Sequence, residues 1–216
     1  MANVETAFGL RPVGLVGAGV NSTGVTEYEI ASNNTNAIYQ YGLVTPTAAG
    51  VIDFAGSTSG GTTAALGVLT GILYQDSIQK KPVWLNFWPG SGAVSVDTNY
   101  PIKAYVADNP NQLFVVAADA TLTDRATALA GVFANASLGT SARTGVTATG
   151  RSSAQLGVST IDTTATLPLR IVGLVADVSN SDYTVAGAHL LVRINAHFNS
   201  GTRRFDSQTT ADSTGV

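Results

Sequence analysis

His189 and His197 are the only imidazoles in this chain of 216 residues, which has no cysteine and 14 side-chain carboxylates. Imidazoles serve as metal ligands or as bases for a hydroxyl nucleophile. On one extended strand both would point to the same side, but eight residues at about 3.3 Å each hold them about 26 Å apart. They cannot share an ion, and no metal or other cofactor is expected. No Gly-x-Ser-x-Gly elbow exposes a serine, and the missing cysteines exclude thiolate chemistry and disulfides. Asp53, Asp76, Asp97, Asp108, Asp119 and Asp124 offer material for a paired acid and base. Most stand beside turn residues, where Asp bonds nearby backbone instead. The Gly-rich run Val13–Gly19 comes nearest to a phosphate cradle, yet Gly17-x-Gly19 leads to Ser22 and then to a strand, not a helix. The chain is expected not to be an enzyme.

The densest cluster of large side chains is aromatic: Val83-Trp84-Leu85-Asn86-Phe87-Trp88-Pro89. On a strand, Trp84, Asn86 and Trp88 share one face and Val83, Leu85 and Phe87 the other. Two apolar faces predict burial by the core on one side and by a partner chain on the other. A sugar-stacking platform is the competing reading. Composition favours protein neighbours. Charged residues make up 12% of the chain, half the ~25% usual in soluble domains, and no basic residue falls between Arg11 and Lys80. A solitary protein normally relies on hydrated Lys and Glu for solubility. The net charge of -3 gives no basic footprint for nucleic acid. No apolar run approaches the ~20 residues that span a bilayer, so no membrane is expected. The opening residues lack a basic-then-apolar leader, so synthesis in a cytoplasm is expected.

These residues need a scaffold. Val, Ile, Thr, Tyr and Phe recur throughout, punctuated by Gly, Pro, Asn and Ser, which predicts many short strands. Strands are expected at Thr26–Ala31, Ile38–Tyr41, Gly42–Thr45, Leu66–Tyr74, Pro82–Asn86, Tyr100–Ala107, Leu113–Ala117, Arg170–Val175 and His189–Phe198. In the last, Leu190, Val192, Ile194, Ala196 and Phe198 form an apolar face that must meet the core. One helix is expected after Thr121 or Thr123 as cap, with Asp124 in its first turn, ending at Gly131 or Asn135. Loops are expected between Phe54 and Ala64 and over 139–153. The resulting class is all-β, or β-dominated α+β: a compact barrel or sandwich body over 25–200, an extended N-terminal arm over 1–24, and a flexible C-terminal tail over 201–216.

Several segments resemble a known family. Phe8-Gly9-Leu10-Arg11-Pro12-Val13, then Glu29-Ile30-Ala31-Ser32, Val68–Ser77, Pro82–Pro89, Asp108-Asn109-Pro110, Thr166–Leu174 and Leu191–His197 are similar to small head proteins of tailed bacteriophages and cyanophages. The resemblance implies a capsid decoration (cement) protein on the outer surface of the virion. It implies a homotrimer whose partner is the major capsid protein of the same phage. On that reading Phe8, Leu10, Arg11 and Val13 of the arm, with Trp84 and Trp88, are the expected protein-interface residues. A carbohydrate-binding or host-adhesion module of a virion is the alternative.

Overall fold

The computed structural model describes residues 2–5, 7–17, 24–56, 64–139 and 144–200. The expected loop at 57–63 and the expected tail at 201–216 lie outside the described residues. Among the described residues the protein is β-dominated, with a six-stranded sheet, a five-stranded sheet, a two-stranded hairpin and one short α-helix.

The first sheet closes on itself. Strands β2 (Thr26–Ile30), β3 (Leu43–Pro46), β4 (Ile52–Phe54), β5 (Gly67–Gln75), β6 (Pro82–Leu85) and β7 (Ile102–Ala107) run in the order β3-β4-β2-β7-β5-β6. An added antiparallel pairing of β3 with β5 joins the two ends. Closure is possible because β5 is nine residues long and divides one edge between two partners. Its beginning pairs with β3 through Leu43–Val68 and Val44–Gly67. Its end, Ile72–Gln75, pairs with β6. The other edge runs along β7. The result is a five-stranded barrel with β6 as a flap. Its interior is filled by Ile30, Val44, Ile52, Leu69, Ile72, Ile102 and Val106, with Ile38 and Trp88 at one end. Trp88 is fully buried, and its indole N–H donates to the Asn34 carbonyl at 3.1 Å.

The second sheet has the order β1-β8-β13-β12-β9, formed by β1 (Arg11–Leu15), β8 (Gln112–Ala117), β13 (His189–Ile194), β12 (Leu169–Leu174) and β9 (Asn135–Ala136). The apolar face expected of the last strand is present over Leu190, Val192 and Ile194, which pack with Phe114, Val116, Leu169 and Ile171. Leu43, Val68 and Ala107 from the barrel join the same cluster. One core therefore fills the barrel and another joins it to the sheet. The strand stops at Ile194, and Phe198 is exposed.

Ile38–Tyr41, expected as a strand, forms only isolated bridges at Ile38 and Gln40, and three further local expectations need correction. Helix α1 (Arg125–Ala130) is capped by Asp124, whose carboxylate accepts the Thr127 N–H at 2.7 Å. Thr123, at φ 72°, lies outside helical backbone, and Thr121 instead takes the Thr123 N–H. Over six residues the helix makes too few turns to bury a stripe, so Leu129 is exposed and Ala128 is buried. Within 139–153, strands β10 (Gly145–Val146) and β11 (Arg151–Ser152) form a small hairpin where only loop was expected.

The third correction concerns the arm. Arg11–Leu15 is an edge strand antiparallel to β8, and Phe8 and Leu10 are buried in the chain's own core. Hydrophobic burial at Phe8 and Leu10 outweighs the entropy of a free segment. Residues 18–23 of the expected arm lie outside the described residues.

Candidate interaction surface

On the barrel wall, side chains alternate between interior and exterior. Outward positions include Glu27 and Glu29 on β2, Lys103 and Tyr105 on β7, Gly71 and Leu73 on β5, and Trp84 on β6. Trp84 pairs with Leu73, and its ring reaches sideways over Gly71 toward Tyr105. A methyl on Gly71 would collide with the benzo edge of that indole. The Trp84 and Tyr105 ring centroids are 5.1 Å apart at 44°. Glycine in mid-strand thus seats a flat aromatic plate. Trp84 remains 55% exposed. Ile78, Phe133 and Val178 are more exposed still, but they stand on turns, whereas Trp84 rests on a paired strand. Beside the plate, the Lys103 ammonium lies 2.9 Å from Glu27, a bond that raises the lysine's pKa.

The expected interface residues separate. Trp84 and Trp88 do not share a face, because β6 ends at Leu85 and the chain bends inward, returning Trp88 to the barrel to bridge Ile38. Phe8, Leu10 and Trp88 are thus interior residues, and the surface that they were expected to form is absent from this chain's exterior. Val13 is 40% exposed at a bulge in edge strand β1. Arg11 lies over the Phe8 ring at 4.8 Å and ion-pairs with Glu5 at 3.5 Å.

Polar bonds add to the burial of Phe8 and Leu10 in holding the segment before β1. The buried side-chain oxygen of Asn180 accepts the N–H groups of Val4 and Glu5 at 3.1 and 2.8 Å. Asn3 donates to the carbonyls of Asp182 and Ala186 and accepts the Asp182 N–H. Glu5 also approaches Arg151 at 3.6 Å. The Asn3 and Asn180 bonds span more than 170 positions, so no local pattern in the sequence announces them.

The histidines occupy separate environments. His189 is buried under the edge of Phe8, with Nε2 3.2 Å from the Glu5 carbonyl and Nδ1 3.6 Å from Asp177. His197 is buried where the chain passes the barrel, and its Nδ1 accepts the Asn199 N–H at 3.1 Å. Burial lowers its pKa from 6.5 to about 4, against a smaller opposite pull from Asp108. Among the described residues, no group of three or more His, Cys, Asp and Glu side chains is placed to hold a metal ion.

The turn reading of the aspartates holds for Asp76, Asp97 and Asp124, which accept N–H groups two or three residues on. Others join distant segments: Asp108 accepts from Thr26, Tyr28 and Asn199, and Asp119 accepts from Val158. A cleft of about 290 Å³ is lined by Asn36, Ala37, Tyr39, Phe54, Thr144 and Gly145. Tyr39 stacks on Phe87 with ring centroids 5.4 Å apart, and Gly145 sits against the same Tyr39 ring.

No family model, curated protein or solved structure matches the chain.

Proposed function

We propose that this chain is a non-enzymatic structural protein of a virion: a decoration protein on the outside of a tailed-phage head. It clamps neighbouring copies of the major capsid protein and works as a homotrimer. The supporting observation is the Trp84 plate, a large aromatic held flat on a rigid, closed barrel in a chain with few charges to desolvate. Exposed tryptophans on rigid supports are the residues that dominate binding energy when a partner covers them. A clamp also needs a body that does not yield, and barrel closure provides one. The contact is assigned to the barrel wall, with Trp84 at its centre, because Phe8, Leu10 and Trp88 are committed to the interior.

The test is co-sedimentation of the purified chain with heads of its phage. Wild type pellets with the heads and raises their melting temperature, whereas Trp84→Ala stays in the supernatant. Wild-type protein with no affinity for heads would refute the reading.

A carbohydrate-binding virion module is the second reading, favoured by the solvent-facing side of the Trp84 indole. It predicts quenching of Trp84 emission by host glycans in Trp88→Phe protein, with no dependence on capsid.

A further inference from the structure

The strand registers lay out the outer face of the five-stranded sheet in rows. Asn135 stands opposite Arg170, and Arg170 opposite Arg193. Continuing the register past Val192–Phe114 brings Leu113 beside Arg193. The next row holds Gly173, Leu191, Val115 and Arg11. Phe8 packs on Val115 and Ala117, with Arg11 over its ring, so the N-terminal segment covers one half of the face. The arginine row lies on the other half. Beside it, a methyl added to Gly173 would meet nothing within 4 Å.

Like charges directly opposite one another repel. This chain has just 11 basic residues, yet it places two of them in one cross-strand pair. Among the described residues, no carboxylate lies within ion-pair distance of either guanidinium. Arg170 donates to the Asn135 side-chain oxygen at 3.3 Å, while the buried Nε of Arg193 has no acceptor.

The barrel wall carries the complement. Glu27 and Glu29 are exposed, two residues apart on β2, so they share a face about 7 Å apart. That spacing suits two long arginines on adjacent strands. Lys103 pairs with Glu27 and leaves the wall with a surplus carboxylate, and Tyr105 stands opposite Glu27. We propose that the two surfaces meet between copies of this chain, with the Glu27–Glu29 wall of one copy seated on the Arg170–Arg193 row of the next. Carboxylates take the guanidinium N–H groups, Tyr105 beside Glu27 provides a ring for an arginine plane, and Leu113 and Leu191 add apolar contact, which leaves Trp84 outside this seam. Because the patches differ, the contact is head-to-tail and closes into a ring when the rotation allows. The inference stands on sheet geometry and needs no capsid.

Sedimentation velocity of the full chain tests it. Wild type forms oligomers that dissociate as salt rises. R170E/R193E and E27K/E29K are each folded by circular dichroism and monomeric, with self-association weakened about tenfold or more. Mixing the two variants restores association, since each then meets a surface of opposite charge. The milder R170Q/R193Q weakens association in the same direction and serves if a charge reversal fails to fold. A monomeric wild type, oligomers indifferent to these variants, or mixtures that stay monomeric would each overturn the proposal. So would saturable binding of inorganic phosphate to a monomer through Arg170 and Arg193, which assigns the row to a free anion. Head binding is measured separately, so either reading can fail alone.

Discussion

The indole of Trp84 occupies the space above Gly71 that any side chain at position 71 would need. The pair is one device: glycine supplies the seat and tryptophan the plate. Gly71→Val is expected to lift the ring and destabilise the fold by ~1–3 kcal/mol through overpacking. Urea midpoints report the stability, and a red-shifted Trp84 emission reports the lifted ring. Unchanged emission would mean that the seat does not position the plate.

The two tryptophans should separate stability from binding. Trp88 fills the barrel end, so Trp88→Ala leaves a cavity and is expected to cost ~3–5 kcal/mol. Trp84→Ala removes a half-exposed ring and is expected to cost ~1 kcal/mol while abolishing head binding. Thermal melts and co-sedimentation on the same two variants check this. Equal loss of stability in both would contradict it.

His197 makes stability depend on pH in a defined window. Unfolded, the imidazole takes a proton as pH falls through 6.5, and folded only near 4. The unfolded state thus binds more protons between those values, so stability is whole above about 6.5 and declines as pH drops toward 4. Allowing for partial solvent screening, the loss is ~2 kcal/mol. His197→Gln is expected to flatten that segment of the stability curve, measured by urea unfolding across the range. A slope identical to wild type would assign the dependence to other groups.

Asn180 holds two successive backbone N–H groups of the N-terminal segment. Asn180→Ala should remove ~1–3 kcal/mol of local stability, given two lost bonds to a buried acceptor. Faster amide exchange at Val4 and Glu5 is the readout, with the barrel strands unaffected. Protection retained at both amides would show that Phe8 alone secures the segment.

Period-two patterning made the long strands legible: Thr26–Ile30, Gly67–Gln75 and His189–Ile194 fall close to where alternation and turn residues place them. Strand β4 escaped because Ile-Asp-Phe is too short to show a period. Barrel and sandwich stayed equal options in the sequence because closure depends on β5 sharing one edge between β3 and β6, a long-range choice. Trp84 was visible as a surface candidate. Its supports were not, although Gly71 inside an apolar strand is the residue that marks a close approach. Trp88 was misplaced because strand alternation was carried past Leu85, where the backbone bends. Phe8 and Leu10 turn inward because Arg11–Leu15 pairs with β8, a long-range contact that no local pattern shows.

Barrel closure has a consequence for how such a chain survives its own concentration. Few like charges keep its copies apart, so electrostatic repulsion gives little protection against amyloid-like stacking. In the barrel, the two margins of the hydrophobic strand β5 are taken by β7 on one side and by β3 and β6 on the other. The five-stranded sheet ends in the two-residue strand β9 on one side and in β1 on the other, where Pro12 withholds a donor and the irregularity at Val13 breaks the ladder. The backbone itself does the work that surface charge does in other proteins, leaving the exterior at liberty to be neutral.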